Sequence, residues 1–283
     1  MINFIAEVSS NHNGDLQRAL QLIYAAKCIG ASAVKFQLFK IDQLFAPEAL
    51  RAKPYLNARR AWELPASYIP TLANYAHELG LQFACTPFYM AAIAELYPYV
   101  DFYKVASYQV LWLDFLRALH ETGKPIVMSL GMANQQEADS AVGMLDGRET
   151  TLLCCTSSYP TPIQNCNLAR MDDLQLRYLD CNVGWSDHSV RPEVLYSAAL
   201  KHRASMIEFH MDLDGAGAEY ALGHCWLPDD MLHVITTINN CLLADGNLDQ
   251  PLSYAELHER LWRTDPSDGL RPLLKTRAAL QHA

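Results

Sequence analysis

Short runs of apolar and β-branched residues alternate along the chain with longer stretches whose apolar positions recur every three or four residues. The short runs predict strands at Asn3–Val8, Ser32–Gln37, Gln82–Cys85, Phe102–Ala106, Pro125–Ser129, Thr151–Cys155, Asn182–Ser186 and Ser205–His210. In the first longer stretch Leu16, Ala19, Leu20, Ile23 and Ala26 share one helical face, with Asp15 placed to cap the start and Gly30 to end it. Further helical patterns lie around Ala66–Leu79, Met90–Leu96, Leu113–Glu121, Gln135–Leu145, Leu168–Tyr178, Pro192–His202 and Asp229–Leu243. This strict alternation predicts an α/β chain whose residues 1–244 form a (β/α)8 TIM barrel, a fold that takes ~250 residues. A doubly wound open sheet also alternates, but the first turn, Ser9-Ser10-Asn11-His12-Asn13-Gly14, lacks the glycine-rich phosphate turn of that fold.

Two segments depart from the repeating unit. Residues 38–63, with Pro47, Pro54 and the Arg59-Arg60 pair, form a long excursion after the second strand, where a lid or binding loop is expected. The tail 245–283 is expected to form no separate domain.

A barrel of this kind carries its site at the carboxyl ends of the strands, so polar residues there mark candidate chemistry. The predicted strands deliver Glu7; Lys35 and Gln37; Thr86; Lys104 and Ser107; Ser129; Thr156, Ser157 and Tyr159; Ser186, Asp187 and His188; and Glu208 and His210. A lone serine or threonine at a strand end reads as an ordinary hydrogen-bonded residue. A lysine inside an apolar strand is different, because burying it unpaired costs several kcal/mol. Glu7 or Glu208 would serve as structural partners for Lys35 and Lys104, while two lysines with several hydroxyls on one rim suit an anionic phosphate or carboxylate ligand. His188 and His210 end neighbouring strands and, with Glu7, Asp187 and Glu208 nearby, form a candidate nitrogen and oxygen metal site with open positions. His12, His224 and Cys225 sit in loops that could also reach the rim.

Charge and composition narrow the partners. With 22 Lys+Arg against 31 Asp+Glu the formal charge is −9, and no basic cluster exists to bind nucleic acid or an anionic membrane. No apolar stretch reaches the roughly 18 residues of a membrane span, and Glu7 stands where a signal peptide would be basic, so the expected location is cytoplasmic. The 8 cysteines include no C-x-x-C pair, and the adjacent Cys154 and Cys155 lie in an apolar run, as reduced buried thiols do.

The segments I-A-E-V-S-S-N-H-N-G-D (Ile5–Asp15), A-V-K-F-Q (Ala33–Gln37), C-T-P-F (Cys85–Phe88), Y-K-V-A-S (Tyr103–Ser107), S-L-G-M-A (Ser129–Ala133), C-T-S-S-Y-P-T-P (Cys155–Pro162), G-W-S-D-H (Gly184–His188) and I-E-F-H (Ile207–His210) together resemble the sialic acid synthase family over about residues 2–243. The resemblance implies condensation of phosphoenolpyruvate with an N-acyl hexosamine, typically N-acetylmannosamine, or a related aldose, giving a nine-carbon 2-keto sugar acid and phosphate. It implies a Mn2+ or Mg2+ ion on His188 and His210. It matches Lys35, Thr86, Lys104, Ser107, Ser129, Ser157 and Ser186 to groups holding the phosphate and carboxylate of phosphoenolpyruvate. Glu7 matches an acidic residue near the metal and bound substrates, and Gln37 and Tyr159 match sugar contacts; Glu208 on the same rim is a further catalytic candidate, since fixed carboxylates would stabilise the positive charge that develops. It also implies a homodimer.

Three departures stand beside the resemblance. Where the family has Gly-Glu after the fourth-strand serine, this chain has Tyr108-Gln109, which places a neutral Gln109 near the acceptor sugar. The loop after the eighth strand reads Leu222-Gly223-His224-Cys225-Trp226 and lacks the aspartate expected to meet sugar hydroxyls. The tail is too short for the small antifreeze-like domain that supplies an arginine, leaving Arg260, Arg263 or Arg271 to do that work or the acceptor to differ. These departures keep two alternatives open: a metal-dependent aldolase or isomerase on a phosphorylated sugar, and a catalytically impaired homologue that binds sugar or phosphoenolpyruvate.

Overall fold

A computed structural model describes residues 2–246 and 252–280. Eight strands, β1 (Asn3–Glu7), β2 (Ala33–Leu38), β3 (Gln82–Pro87), β4 (Phe102–Val105), β5 (Ile126–Ser129), β6 (Thr150–Cys154), β7 (Asn182–Asp187) and β8 (Met206–His210), close in sequence order into an all-parallel barrel. Each strand begins and ends within two residues of its sequence expectation. The first helix, Leu16–Cys28, starts where Asp15 accepts hydrogen bonds from the amides of Gln17 and Arg18, and stops at Gly30, whose φ of +85° is the left-handed conformation glycine adopts without strain. Helices Ile69–Glu78, Met90–Leu96, Leu113–Glu121, Gln135–Met144 and Ala169–Arg177 follow in turn. The helix from Pro192 widens into a π turn over Ser197–Lys201.

The chain divides into two units, Met1–Asn239 and Asn240–Ala283. In the second, Arg277 grips the Asp268 carboxylate with both guanidinium arms, and Asp265 accepts from the Leu274 amide. Among the described residues no helix is long and apolar enough to cross a membrane.

The 38–63 excursion is ordered rather than structureless. It folds as helices Ile41–Leu44 and Pro47–Ala52 and a 3-10 segment, Pro54–Trp62, held together by Glu63 accepting from the Ile41 amide and by the Arg60–Asp42 pair. Its buried Ile41 and Leu56 anchor it.

Inside the barrel, Ile5, Ala33, Ala84, Phe102, Val127 and Leu153 pack with Met206 into an apolar floor. β7 contributes Gly184 to this level, and a Cβ there would come within 2.2 Å of the Met206 carbonyl oxygen, so only glycine admits the approach of β8. The floor determines what stands above it.

Candidate active site

Alternate residues of a strand face the same side, so the residue two beyond each floor position forms the next inward level. That level reads Glu7, Lys35, Thr86, Lys104, Ser129, Cys155, Ser186 and Glu208, and two residues further stand Ser9, Gln37, Phe88, Ala106, Gly131, Ser157, His188 and His210. An apolar layer is therefore followed by a polar one at the carboxyl end of the barrel, and a cavity of ≈ 660 Å³ opens on it. Of the residues singled out from the sequence, Lys35, Gln37, Thr86, Lys104, Ser107, Gln109, Ser129, Tyr159, Ser186, His188, Glu208, His210 and His224 line this cavity, whereas Glu7, His12, Thr156, Ser157, Asp187 and Cys225 do not. Glu7 lies beneath, fully buried in contact with Lys35, and Ser157 shares a 2.9 Å hydroxyl hydrogen bond with Ser107.

The two lysines are 3% and 2% exposed, and neither is unpaired. Lys35 touches Glu7, donates to Thr86 Oγ1 at 3.3 Å and lies 3.8 Å from Glu208. Lys104 donates to Ser129 Oγ at 2.7 Å and to the Val105 carbonyl, and lies 3.7 Å from the other Glu208 oxygen. Ser186 donates to that same oxygen. Burial pushes the Lys35 ammonium down to about 8, with Glu208 opposing it, while burial opposes and Lys104 and Lys35 win in drawing Glu208 down to about 2. Ammonium groups, hydroxyls and a fixed carboxylate are what an anionic ligand with a developing positive carbon would meet.

His188 sits beside them with Nδ1 on the Thr156 carbonyl at 2.9 Å, which makes Nδ1 the donor and leaves the Nε2 lone pair free. Burial and the neighbouring His210 push its pKa down to about 3, and burial also lowers His210, so both rings are neutral at neutral pH. Their centroids are 5.4 Å apart, and Tyr159 lies 4.2 Å from the His188 ring. Asp187, counted from sequence among the nearby carboxylates, is instead saturated by the Trp185 and Trp226 indoles, Ser189 and the Val190 amide, and does not line the cavity. His12 is likewise away from the rim: its Nδ1 accepts from the Gly14 amide and its ring faces Phe36.

Gln109 lines the cavity, but its amide is committed to the backbone, donating to the Pro87 carbonyl at 2.7 Å and accepting from the Ala106 amide. Sequence reasoning missed Glu219. It arrives on the loop after β8, 9% exposed, and accepts from Ser9 Oγ at 2.7 Å. Burial would raise its pKa, yet His210 and His224 hold it well below the usual carboxylate range. Nothing local in Gly215–Leu222 signals this placement. It follows from Asn11 and Asn13, whose side-chain oxygens accept from the amides of Glu219 and Ala218 and staple the β8 loop to the first turn. Arg260, Arg263 and Arg271 belong to the second unit, whereas the arginine that lines the cavity is Arg59 of the 38–63 excursion, with Trp62 5.2 Å from its guanidinium.

Residues 22–250 match the NeuB family. The chain is 34% identical over 227 residues to an uncharacterized protein, MJ1065, of Methanocaldococcus jannaschii, covering 77% of this chain and 65% of that one. It is 33% identical over 227 residues to the N,N'-diacetyllegionaminic acid synthase of Campylobacter jejuni, covering 74% and 67%. The chain spans about two thirds of the length of these curated relatives. The crystal structure of an N-acetylneuraminic acid (sialic acid) synthetase from Leptospira borgpetersenii, in complex with citrate, superposes with a TM-score of 0.81 at 26% identity, covering 91% of this chain and 90% of that one. The breadth of the family match and the shared barrel together establish that the chain belongs to the NeuB family.

Proposed function

We propose that the chain is a phosphoenolpyruvate-dependent sugar-acid synthase, condensing phosphoenolpyruvate with an N-acyl hexosamine of the N-acetylmannosamine type to give a sialic-acid-like 2-keto nonulosonic acid and inorganic phosphate. The observation that carries this reading is the pair of buried ammonium groups, Lys35 and Lys104, each within 4 Å of Glu208 and each bonded to a hydroxyl facing the cavity. The relative named as an N,N'-diacetyllegionaminic acid synthase supports it.

In this reading Lys35 and Lys104, with Thr86, Ser107, Ser129 and Ser186, hold the phosphate and carboxylate of phosphoenolpyruvate. The enol π pair forms a bond to the aldehyde carbon, and the aldehyde oxygen takes a proton. Positive charge develops at the former enol carbon, where the fixed carboxylate of Glu208, backed by Glu7, stabilises it. Water adds to that carbon and loses a proton. The C–O bond to phosphate then breaks, the electron pair leaves with phosphate onto the lysines, the new hydroxyl passes its proton to the departing phosphate, and a 2-keto group remains. Gln37 and Tyr159 meet the sugar, and Leu44, Phe45, Leu56 and Trp62 of the 38–63 excursion exclude bulk water. The free Nε2 of His188 and the neutral ring of His210 fit a divalent cation, and when bound Mn2+ or Mg2+ supplies a Lewis acid for the aldehyde oxygen.

The test is phosphate release from phosphoenolpyruvate with Mn2+ and a panel of N-acyl hexosamines and simpler aldoses. Equimolar phosphate and 2-keto acid with at least one acceptor is the expected result. Phosphoenolpyruvate binding without release for any acceptor would instead establish a binding homologue.

A further inference from the structure

The two ends of the cavity differ in chemistry. Lys35, Lys104 and Glu208 stand on strands at the inner level, whereas the segments that follow the carboxyl ends of β2 and β4 line the outer part with Leu44, Phe45, Leu56, Trp62, Tyr108 and Trp112. Arg59 is the one charged side chain that these two segments give to the lining. The other arginines of the 38–63 excursion are engaged: Arg51 lies against Glu48, and both guanidinium arms of Arg60 are on Asp42. Among the described residues no carboxylate comes within 4 Å of the Arg59 guanidinium, which instead lies over Trp62, 5.2 Å from the ring centroid. A guanidinium held on an indole face keeps its edge N–H groups for another partner. The backbone that presents it is anchored on both sides, by buried Leu56 before it and by Glu63, which accepts from the Ile41 amide, after it.

A cation among apolar and aromatic side chains attracts an anion more strongly than one in open water, and the guanidinium fork matches phosphate or carboxylate in geometry. The order of the reactants places that anion. An acceptor aldehyde has to meet phosphoenolpyruvate at the inner lysines, so the far end of the acceptor chain points outward, toward Arg59. We propose that Arg59 is a specificity-determining residue that binds an anionic group, phosphate or carboxylate, at the end of the acceptor sugar remote from its aldehyde. The assignment rests on the synthase reading and narrows its acceptor to an N-acyl aldose carrying a terminal anion.

The experiment measures phosphate release by the full chain with Mn2+ and phosphoenolpyruvate, using acceptors alike except at the terminal carbon: a neutral N-acyl hexosamine, its terminal phosphate ester and its terminal carboxylate. The unmodified protein favours an anionic acceptor in kcat/KM by about 10–100-fold, the advantage of charge-assisted hydrogen bonds, and the preferred anion tells phosphate from carboxylate. Arg59→Ala brings that ratio to within a few-fold of unity through the acceptor KM, and Arg59→Lys, which keeps the charge and loses the fork, retains part of it. Arg51→Ala, outside the cavity, leaves the ratio unchanged. Circular dichroism melts check the fold of each variant. A neutral acceptor used as well as the anionic ones, or an undiminished ratio in Arg59→Ala, overturns the assignment. If no acceptor releases phosphate, calorimetric titration of the two anionic sugars decides. Binding that Arg59→Ala weakens by about 10-fold or more leaves the subsite standing and sinks the synthase reading alone, whereas binding that is absent or unaffected overturns the subsite.

Discussion

Gln109 shows how a single amide can be held by its surroundings rather than by a ligand. Its NH2 group donates to the Pro87 carbonyl and its oxygen accepts from the Ala106 amide, so the position requires one donor and one acceptor. A carboxylate offers only acceptors. Gln109→Glu therefore sets an anion against a carbonyl oxygen, and we expect about 1–3 kcal/mol of lost stability at pH 7 in urea unfolding. The new carboxyl's pKa is raised in the folded state, so the deficit should narrow as pH falls and the protonated acid regains a donor. An unchanged urea midpoint at pH 7 would show that the side chain is free to serve a substrate. The sequence exposed the oddity of Gln109 but not its cause, because both of its partners are backbone atoms whose positions depend on the barrel.

At the scale of the strand, the site is a consequence of period two. The apolar floor at Ile5, Ala33, Ala84, Phe102, Val127 and Leu153 and the polar residues two places on occupy the same face at successive heights, so strand positions and identities alone located the lysines and Glu208. Gly184 sits at the weak point of this arrangement. Gly184→Ala drives a methyl into the Met206 backbone, where no side-chain rotation relieves the clash, and should cost about 1–3 kcal/mol or more in urea unfolding. A variant as stable as the parent would mean that β7 and β8 are not packed as described. The 38–63 excursion was legible as an element without regular repeats, but its short helices were not, because they are fixed by Glu63 and Arg60 reaching back across the segment.

For the molecule as a whole, the acidic composition and the cysteine pattern acquire physical meaning. The few lysines buried in strands face the cavity against a chain of net charge −9, which concentrates cationic character where an anion is to be held. The thiols divide by burial: Cys28 is exposed, while burial pushes Cys85, Cys154 and Cys225 up to about 12 and Cys166 to about 11. Alkylation at pH 8 followed by peptide mass spectrometry should modify Cys28 first and leave these four unmodified until the protein is unfolded. Rapid native labelling of Cys154 or Cys225 would contradict the packing. By itself the sequence determined the barrel, its strand boundaries, the polar ring at the carboxyl ends and the two lysines, because each rests on local periodicity and on the cost of burying charge. Only the tertiary structure decided that Asp187 is consumed by two indoles, that Arg59 lines the cavity, and that Glu219 and His224 reach His210. The Asp187 and Glu219 placements depend on contacts between separated segments, 39 residues apart for Trp226 with Asp187 and 208 for Asn11 with Glu219, and no local pattern encodes them.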